Sequence, residues 1–252
     1  MPIVLLTALG VGGATLIGSV VGFAFRKISH RFTDIILSFA AGVMLCAAVF
    51  GLIAPSLEDG GKYSVFITIA GIFCGALLLN VIDKLVPHLH TLSGKEQESH
   101  GKQNEKLGKV LLFVMAIAIH NLPEGIAAGV GFGTGNNERA MVIALGIALQ
   151  NIPEGMVIIA PMLAAGMSKS RTLIIAAFTG VVEVIGTFLG YFAVSVSSAI
   201  LPFALAFAGG TMIYVISDEM IPETHAHGSQ RGATYALLIG FCLMLIMDFY
   251  LG

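Results

Sequence analysis

Eight continuous apolar runs dominate this 252-residue chain, and each is near the ~20 residues that an α-helix needs to cross a bilayer. They extend roughly from Ile3 to Phe25, Asp34 to Ala54, Val65 to Ile82, Val110 to Gly131, Ala140 to Leu163, Leu173 to Ser195, Pro202 to Ile221 and Ala233 to Leu251. Apolarity is continuous within each run rather than alternating, which predicts helices and not a β-barrel. The expected fold is therefore all-α and polytopic, with eight transmembrane helices. Only 11% of the residues are charged, against about 25% in average soluble domains. So little charge cannot solvate a globule of this size. The lipid bilayer is thus an expected partner, and a net charge of −2 suggests no nucleic-acid partner. The cysteines Cys46, Cys74 and Cys242 all lie in apolar runs and read as buried thiols. The first run lacks a preceding basic stretch and reads as a retained span rather than a cleaved leader.

Basic residues set the expected topology. Arg26, Lys27, Arg31, Lys84, Lys95, Lys102, Lys106, Lys109, Lys169, Arg171 and Arg231 fall on one side, and only Lys62 and Arg139 on the other. The positive-inside rule then places both termini outside the cytoplasm. The expected location is a plasma membrane, which in a Gram-negative bacterium is the inner one. Residues 1–252 form one transmembrane unit. Residues 85–109 are polar, lack a hydrophobic period and read as a mobile cytoplasmic loop. His88, His90 and His100 in this loop, like His225 and His227 after span seven, either hold metal loosely or are ordinary solvated residues.

Two internal similarities stand out. HNLPEGIAAG at 120–129 returns 30 residues later as QNIPEGMVIIA, so the pattern N-x-P-E-G occurs on two consecutive, antiparallel spans. More weakly, FAAGVML at 39–45 in span two resembles FAGGTMI at 207–213 in span seven, and each run leads to a proline, Pro55 or Pro222. Spans two and seven enter the membrane from opposite sides. This predicts an inverted repeat of spans 1–3 and 6–8 around spans 4–5, an arrangement that places substrate sites near the bilayer midplane.

Ionisable groups in hydrocarbon cost roughly 2.5–3.5 kcal/mol each on insertion scales and point to function. Glu124, Glu154 and Glu183 lie deep within spans. At about 100° per residue, His120, Asn121 and Glu124 share one helix face. Gln150, Asn151 and Glu154 repeat that face on the next span, and Glu183 can join from span six. Pro123 and Pro153 should bend their helices and free the carbonyls of Ile119 and Leu149. Carboxylates, an imidazole and amide oxygens make a mixed nitrogen and oxygen site. Such a site suits Zn²⁺, Fe²⁺, Mn²⁺, Co²⁺ or Cd²⁺ better than Na⁺ or K⁺. Met44 in span two could add a thioether. The expected cargo is thus a divalent transition-metal ion at one or two intramembrane sites, with no prosthetic group. Asp34 and the pair Asp218–Glu219 sit toward span ends and read either as ion-path residues or as solvated charges at headgroup level.

At these residues the chain resembles the ZIP (zinc/iron-regulated transporter-like) family, in its compact prokaryotic form. The resemblance covers essentially the whole chain, and HNLPEG with QNIPEG is its most specific part. It implies a first metal held by His120, Glu124 and Glu154 with Met44 and Gln150 at the edge, and a second held by Asn121, Glu124, Asn151, Glu154 and Glu183. It further implies that Asp34 and Glu219 serve the two mouths of the ion path. Metal would move toward the cytoplasm with one helix group sliding against another, often in homodimers. Many relatives carry His at the position of Gln150, and some carry Asp at that of Asn151 or His at that of Asp218. An intramembrane metal-dependent hydrolase is the main rival from another class, but no helical HExxH pattern is present. A monovalent cation or proton exchanger is the second rival.

Overall fold

The computed structural model describes residues 1–24, 29–59, 61–85 and 102–251, which are almost wholly helical. Eight long helices follow the eight apolar runs. They are α1 (Pro2–Ala24), α2 (His30–Cys46, continuing through Ala47–Ile53 and Ala54–Asp59), α3 (Ser64–Leu85) and α4 (Lys102–Gly131). Then come α5 (Asn137–Ala164), α6 (Lys169–Val196), α7 (Leu201–Val215, continuing through Ile216–Met220 and Ile221–His225) and α8 (Gln230–Leu251). Among the described residues, seven of them are long and apolar enough to cross a membrane; the remaining one, α4, has 30 residues and bears the first motif. His88, His90, His100, Arg26, Lys27 and Lys95 lie outside the described residues, as does most of the expected loop.

Helices outrun the apolar segments that announce them. α4 starts at Lys102 rather than Val110, because Lys, Gln, Glu and Leu in KQNEKLGK propagate a helix without being apolar. α2 starts at His30 rather than Asp34, where the Ser29 hydroxyl accepts from the Phe32 amide and caps the first turn. Short turns join α4 to α5 and α5 to α6. The Asn136 side chain accepts from the amides of Glu138 at 2.9 Å and Arg139 at 3.0 Å, while Gly135 and Gly166 take positive φ of 75° and 86°.

Both α2 and α7 change register. Ala47–Ile53 and Ile216–Met220 are π-helical, with the Ala54 amide bonded to the Val49 carbonyl and the Ile221 amide to that of Ile216. Pro55 and Pro222 follow directly. A proline lacks an N–H and crowds the carbonyl one turn back, and the wider turn absorbs that conflict. By contrast, α4 and α5 pass through Pro123 and Pro153 as continuous α-helix.

The helices pack as two groups of four. In the first, α4 lies along α6, and α1 lies along both α5 and α6; in the second, α2 lies along α8 and α3 along α7. Within each group, glycines let backbones touch. A Cβ on Gly125 or Gly155 would strike the backbone carbonyl of Glu183 or Thr15, and one on Gly42 or Gly210 that of Leu237 or Ile72. The seam between groups, where α2 meets α5 and α4 meets α7, differs in kind. There Gly51 faces the Ile143 side chain, and Gly146 faces that of Met244.

Exposure is inverted relative to a soluble protein. Leu6, Phe66, Phe73, Phe178, Ile239 and Phe249 lie on the outside, whereas Thr15, Asn121, Glu124, Gln150, Asn151 and Glu183 are at most 1% exposed. The helix ends also meet as alternate crossings require. Arg139 at the start of α5 lies 3.6 Å from Glu58 near the end of α2, and His227 in the α7–α8 turn lies 3.1 Å from Asp34 near the start of α2.

Candidate metal centre

The N-x-P-E-G faces of α4 and α5 meet inside the first group, and α6 supplies Glu183 beside them. Glu183 is fully buried and collects three donors. Its Oε1 accepts from Thr15 Oγ1 at 2.8 Å and from Asn121 Nδ2 at 2.5 Å, and its Oε2 accepts from Asn151 Nδ2 at 2.7 Å. Each asparagine nitrogen also reaches a backbone carbonyl, Asn121 that of Thr179 and Asn151 that of Val11, both at 3.3 Å.

Across from this knot, the acceptors are unsatisfied. Both Glu124 oxygens, the Oδ1 atoms of Asn121 and Asn151, and the Gln150 amide are buried, and the Gln150 amide faces Glu124 without a well-formed hydrogen bond. Buried acceptors without donors cost ~1–3 kcal/mol apiece, and more when charged. Glu154, the counterpart of Glu124, is only half-buried. His120 is 9% exposed, and its Nε2 lies 2.8 Å from Glu219 Oε1 on α7. That contact ties the first motif to the seam, and the Glu219 side chain is 24% exposed. Polar groups therefore run stepwise from the buried Glu124 region through His120 to partly open Glu219.

The other expected residues fall in varied settings. Met44 is 1% exposed within the main apolar cluster, which also contains Met212, Ile143 and Ile147. Asp218 is exposed. Asp34 is 1% exposed, with Oδ1 against His227 and Oδ2 lacking a hydrogen bond; the His227 ring stacks on His30 at 4.8 Å between centroids. Among the described residues, no three His, Cys, Asp or Glu side chains converge as a ready-made shell. Amides from both motifs make up the polar set.

Thr15 was invisible to motif reasoning, since one threonine in an apolar helix is ordinary. A signal did exist. GGATLIGS at 12–19 and GVVEVIGT at 180–187 share the spacing G-x5-G-[S/T], which aligns Thr15 with Glu183 and Ser19 with Thr187. Ser19 and Thr187 then make matching bonds, to the carbonyls of Thr15 and Glu183.

An all-helical membrane protein that buries a carboxylate and amide centre on duplicated helices has the architecture of a transporter. The family model described as ZIP Zinc transporter matches residues 96–248. Zinc transporter GufA of Myxococcus xanthus is 41% identical over 255 residues, covering 98% of each chain. Zinc transporter ZIPB of Bordetella bronchiseptica is 36% identical over 95% of this chain and 78% of its own length. Zinc transporter ZupT of Chlorobaculum parvum is 34% identical over 93% of this chain and 92% of its own. The chain belongs to the ZIP family, in its compact prokaryotic form, and is a multi-pass membrane transporter rather than an enzyme.

Proposed function

We propose that this protein carries divalent transition-metal ions, zinc foremost, toward the cytoplasm through the centre between α4 and α5. One observation carries the reading. Two antiparallel helices bury a carboxylate and three amide side chains whose oxygens make no well-formed hydrogen bond. A cation is the kind of partner that such acceptors lack. His120, Glu124 and Glu154 are the proposed principal ligands, with Gln150, Asn121 and Asn151 supplying neutral oxygens, and Met44 and Glu183 in support. This mixed donor set accommodates Zn²⁺ and, in principle, Fe²⁺, Mn²⁺, Co²⁺ or Cd²⁺. The names of the relatives favour zinc. Glu219 and Asp218 form the proposed route onward from His120, and Asp34 lies on the same side of the protein as the α7–α8 turn.

We further infer that spans 1–3 and 6–8 are an inverted repeat around spans 4–5. The packing supports it, because α1 on α5 corresponds to α6 on α4, and α2 on α8 to α7 on α3. Both π-helical segments also fall at matching places, after FAAGVML and FAGGTMI.

The test is vectorial flux of radiolabelled zinc by purified protein in proteoliposomes, with competing metals added outside. Saturable zinc uptake that Cd²⁺ or Mn²⁺ reduces and Na⁺ does not is expected; flux governed by Na⁺ alone overturns the reading. His120→Ala should retain flux but change the order in which metals compete, because a neutral imidazole contributes coordination without charge. An unchanged competition order would remove His120 from the ligand set.

A further inference from the structure

The knot around Glu183 uses a residue that neither motif contains. We propose that Thr15 is a positioning residue. With Glu183 it holds the amides of Asn121 and Asn151 in the one orientation that leaves both carbonyl oxygens to the transported ion. This inference rests on the proposed metal pathway and adds a residue on α1 to it.

Asn121 Nδ2 donates to Glu183 Oε1 and to the Thr179 carbonyl, and Asn151 Nδ2 donates to Glu183 Oε2 and to the Val11 carbonyl. With Glu183 ionised, all four partners are acceptors only. A flipped amide would set its oxygen against a carboxylate and a carbonyl together, so the chemistry of the partners determines which way each amide faces. The oxygen of a planar amide lies on the opposite side from these donors, and both Oδ1 atoms are buried without a hydrogen bond. The carboxylate is the hub that turns two neutral side chains into ion-facing acceptors.

Thr15 fixes the hub. Its hydroxyl donates to Glu183 Oε1 at 2.8 Å, and it is itself 1% exposed. Oε1 thereby accepts two bonds and Oε2 one. With three of roughly four acceptor positions occupied, Glu183 acts chiefly through the asparagines. The backbone places the pair accurately. Gly155 lies against the Thr15 carbonyl, and Gly125 lies against that of Glu183. Thr15 and Glu183 occupy corresponding places in the two glycine-spaced segments of α1 and α6. A hydroxyl on one and a carboxylate on the other make a donor and acceptor pair that two identical residues could not make as well.

The test compares Thr15→Val, which keeps the shape and removes the donor, with Thr15→Ser, which keeps the donor. Partners behind metal ligands typically cost about tenfold or more in affinity when removed. Thr15→Val should raise the zinc KM about tenfold while maximal flux changes less than twofold, and Thr15→Ser should return KM to within twofold of the parent. Side-chain amide NMR of the full chain in nanodiscs gives a readout independent of transport. The Asn121 and Asn151 NH2 signals, identified by Asn121→Ala and Asn151→Ala, should shift in Thr15→Val and not in Thr15→Ser. Unmoved amide signals overturn the proposal, as does a KM in Thr15→Val within twofold of the parent. If the parent itself carries no zinc, the transport reading fails, and the amide signals still decide whether Thr15 orients the asparagines.

Discussion

Glu124→Ala and Glu154→Ala should each abolish zinc flux in proteoliposomes while leaving the protein inserted and folded. Glu124 is 1% exposed, and the Gln150 amide that faces it makes no well-formed hydrogen bond, so its removal deletes little structural contact. On the proposed function it deletes a charge that a dehydrating divalent ion would need. At a buried pair of unit charges even an effective dielectric constant of about 20 leaves ~4 kcal/mol at 4 Å, and each 1.4 kcal/mol is tenfold in binding. The expected loss is therefore on the order of a thousandfold. Glu154 is half-buried, and in the proposed site it would reach the ion from the more open side. The check is flux normalised to inserted protein, with gel filtration to confirm folding. Parental flux from either correctly inserted variant would remove that glutamate from the site.

The second large effect concerns folding. Gly125→Ala and Gly155→Ala should each lower the melting temperature in detergent by many degrees, because the new Cβ meets a backbone carbonyl rather than a yielding side chain. Overpacking of this kind typically costs 1–3 kcal/mol, and more where neighbouring backbone must move. Gly13→Ala is the control on α1. Nothing lies within 4 Å of a Cβ built there, and alanine favours helix over glycine by about 1 kcal/mol. It should match the parent or exceed it. Equal melting of the three variants would show that α1, α4, α5 and α6 pack less closely than described.

Much of this was legible beforehand, for a physical reason. A helix in lipid must be apolar over a fixed length, so the eight runs announced eight helices. A carboxylate in hydrocarbon is costly enough to stand out, so Glu124, Glu154 and Glu183 were visible as candidates. Helix boundaries were less legible. Lys102–Lys109 is helical without being apolar, and hydropathy measures lipid contact rather than backbone hydrogen bonding. The π-helical turns before Pro55 and Pro222 were also hidden. Proline signals a conflict in the hydrogen-bond ladder, but tertiary packing decides where it is relieved. Thr15 was hidden for a third reason. Its importance lies in Glu183, which is distant in the chain, and a hydroxyl carries no insertion cost large enough to draw notice.

The contrast between glycine contacts within the two helix groups and side-chain contacts between them has a mechanical meaning. Separating α1 from α5 or α2 from α8 would require backbones to withdraw from one another. Displacing one group along the other asks for rotamer changes by residues such as Ile143 and Met244. It also breaks the His120–Glu219 and Arg139–Glu58 contacts, the second of which is exposed and weak. Packing of this kind favours two stiff blocks that shear along one plane over movement within either block. Cysteine pairs that bridge this plane should halt flux when crosslinked, whereas pairs inside a block should not. The residues of the proposed ion path divide along the same plane. Glu124, Glu154 and Glu183 lie in the first block, while Met44 and Glu219 belong to the second, so on the proposed function a shear of a few ångströms would change which neighbours an ion has without dismantling the helices that carry it.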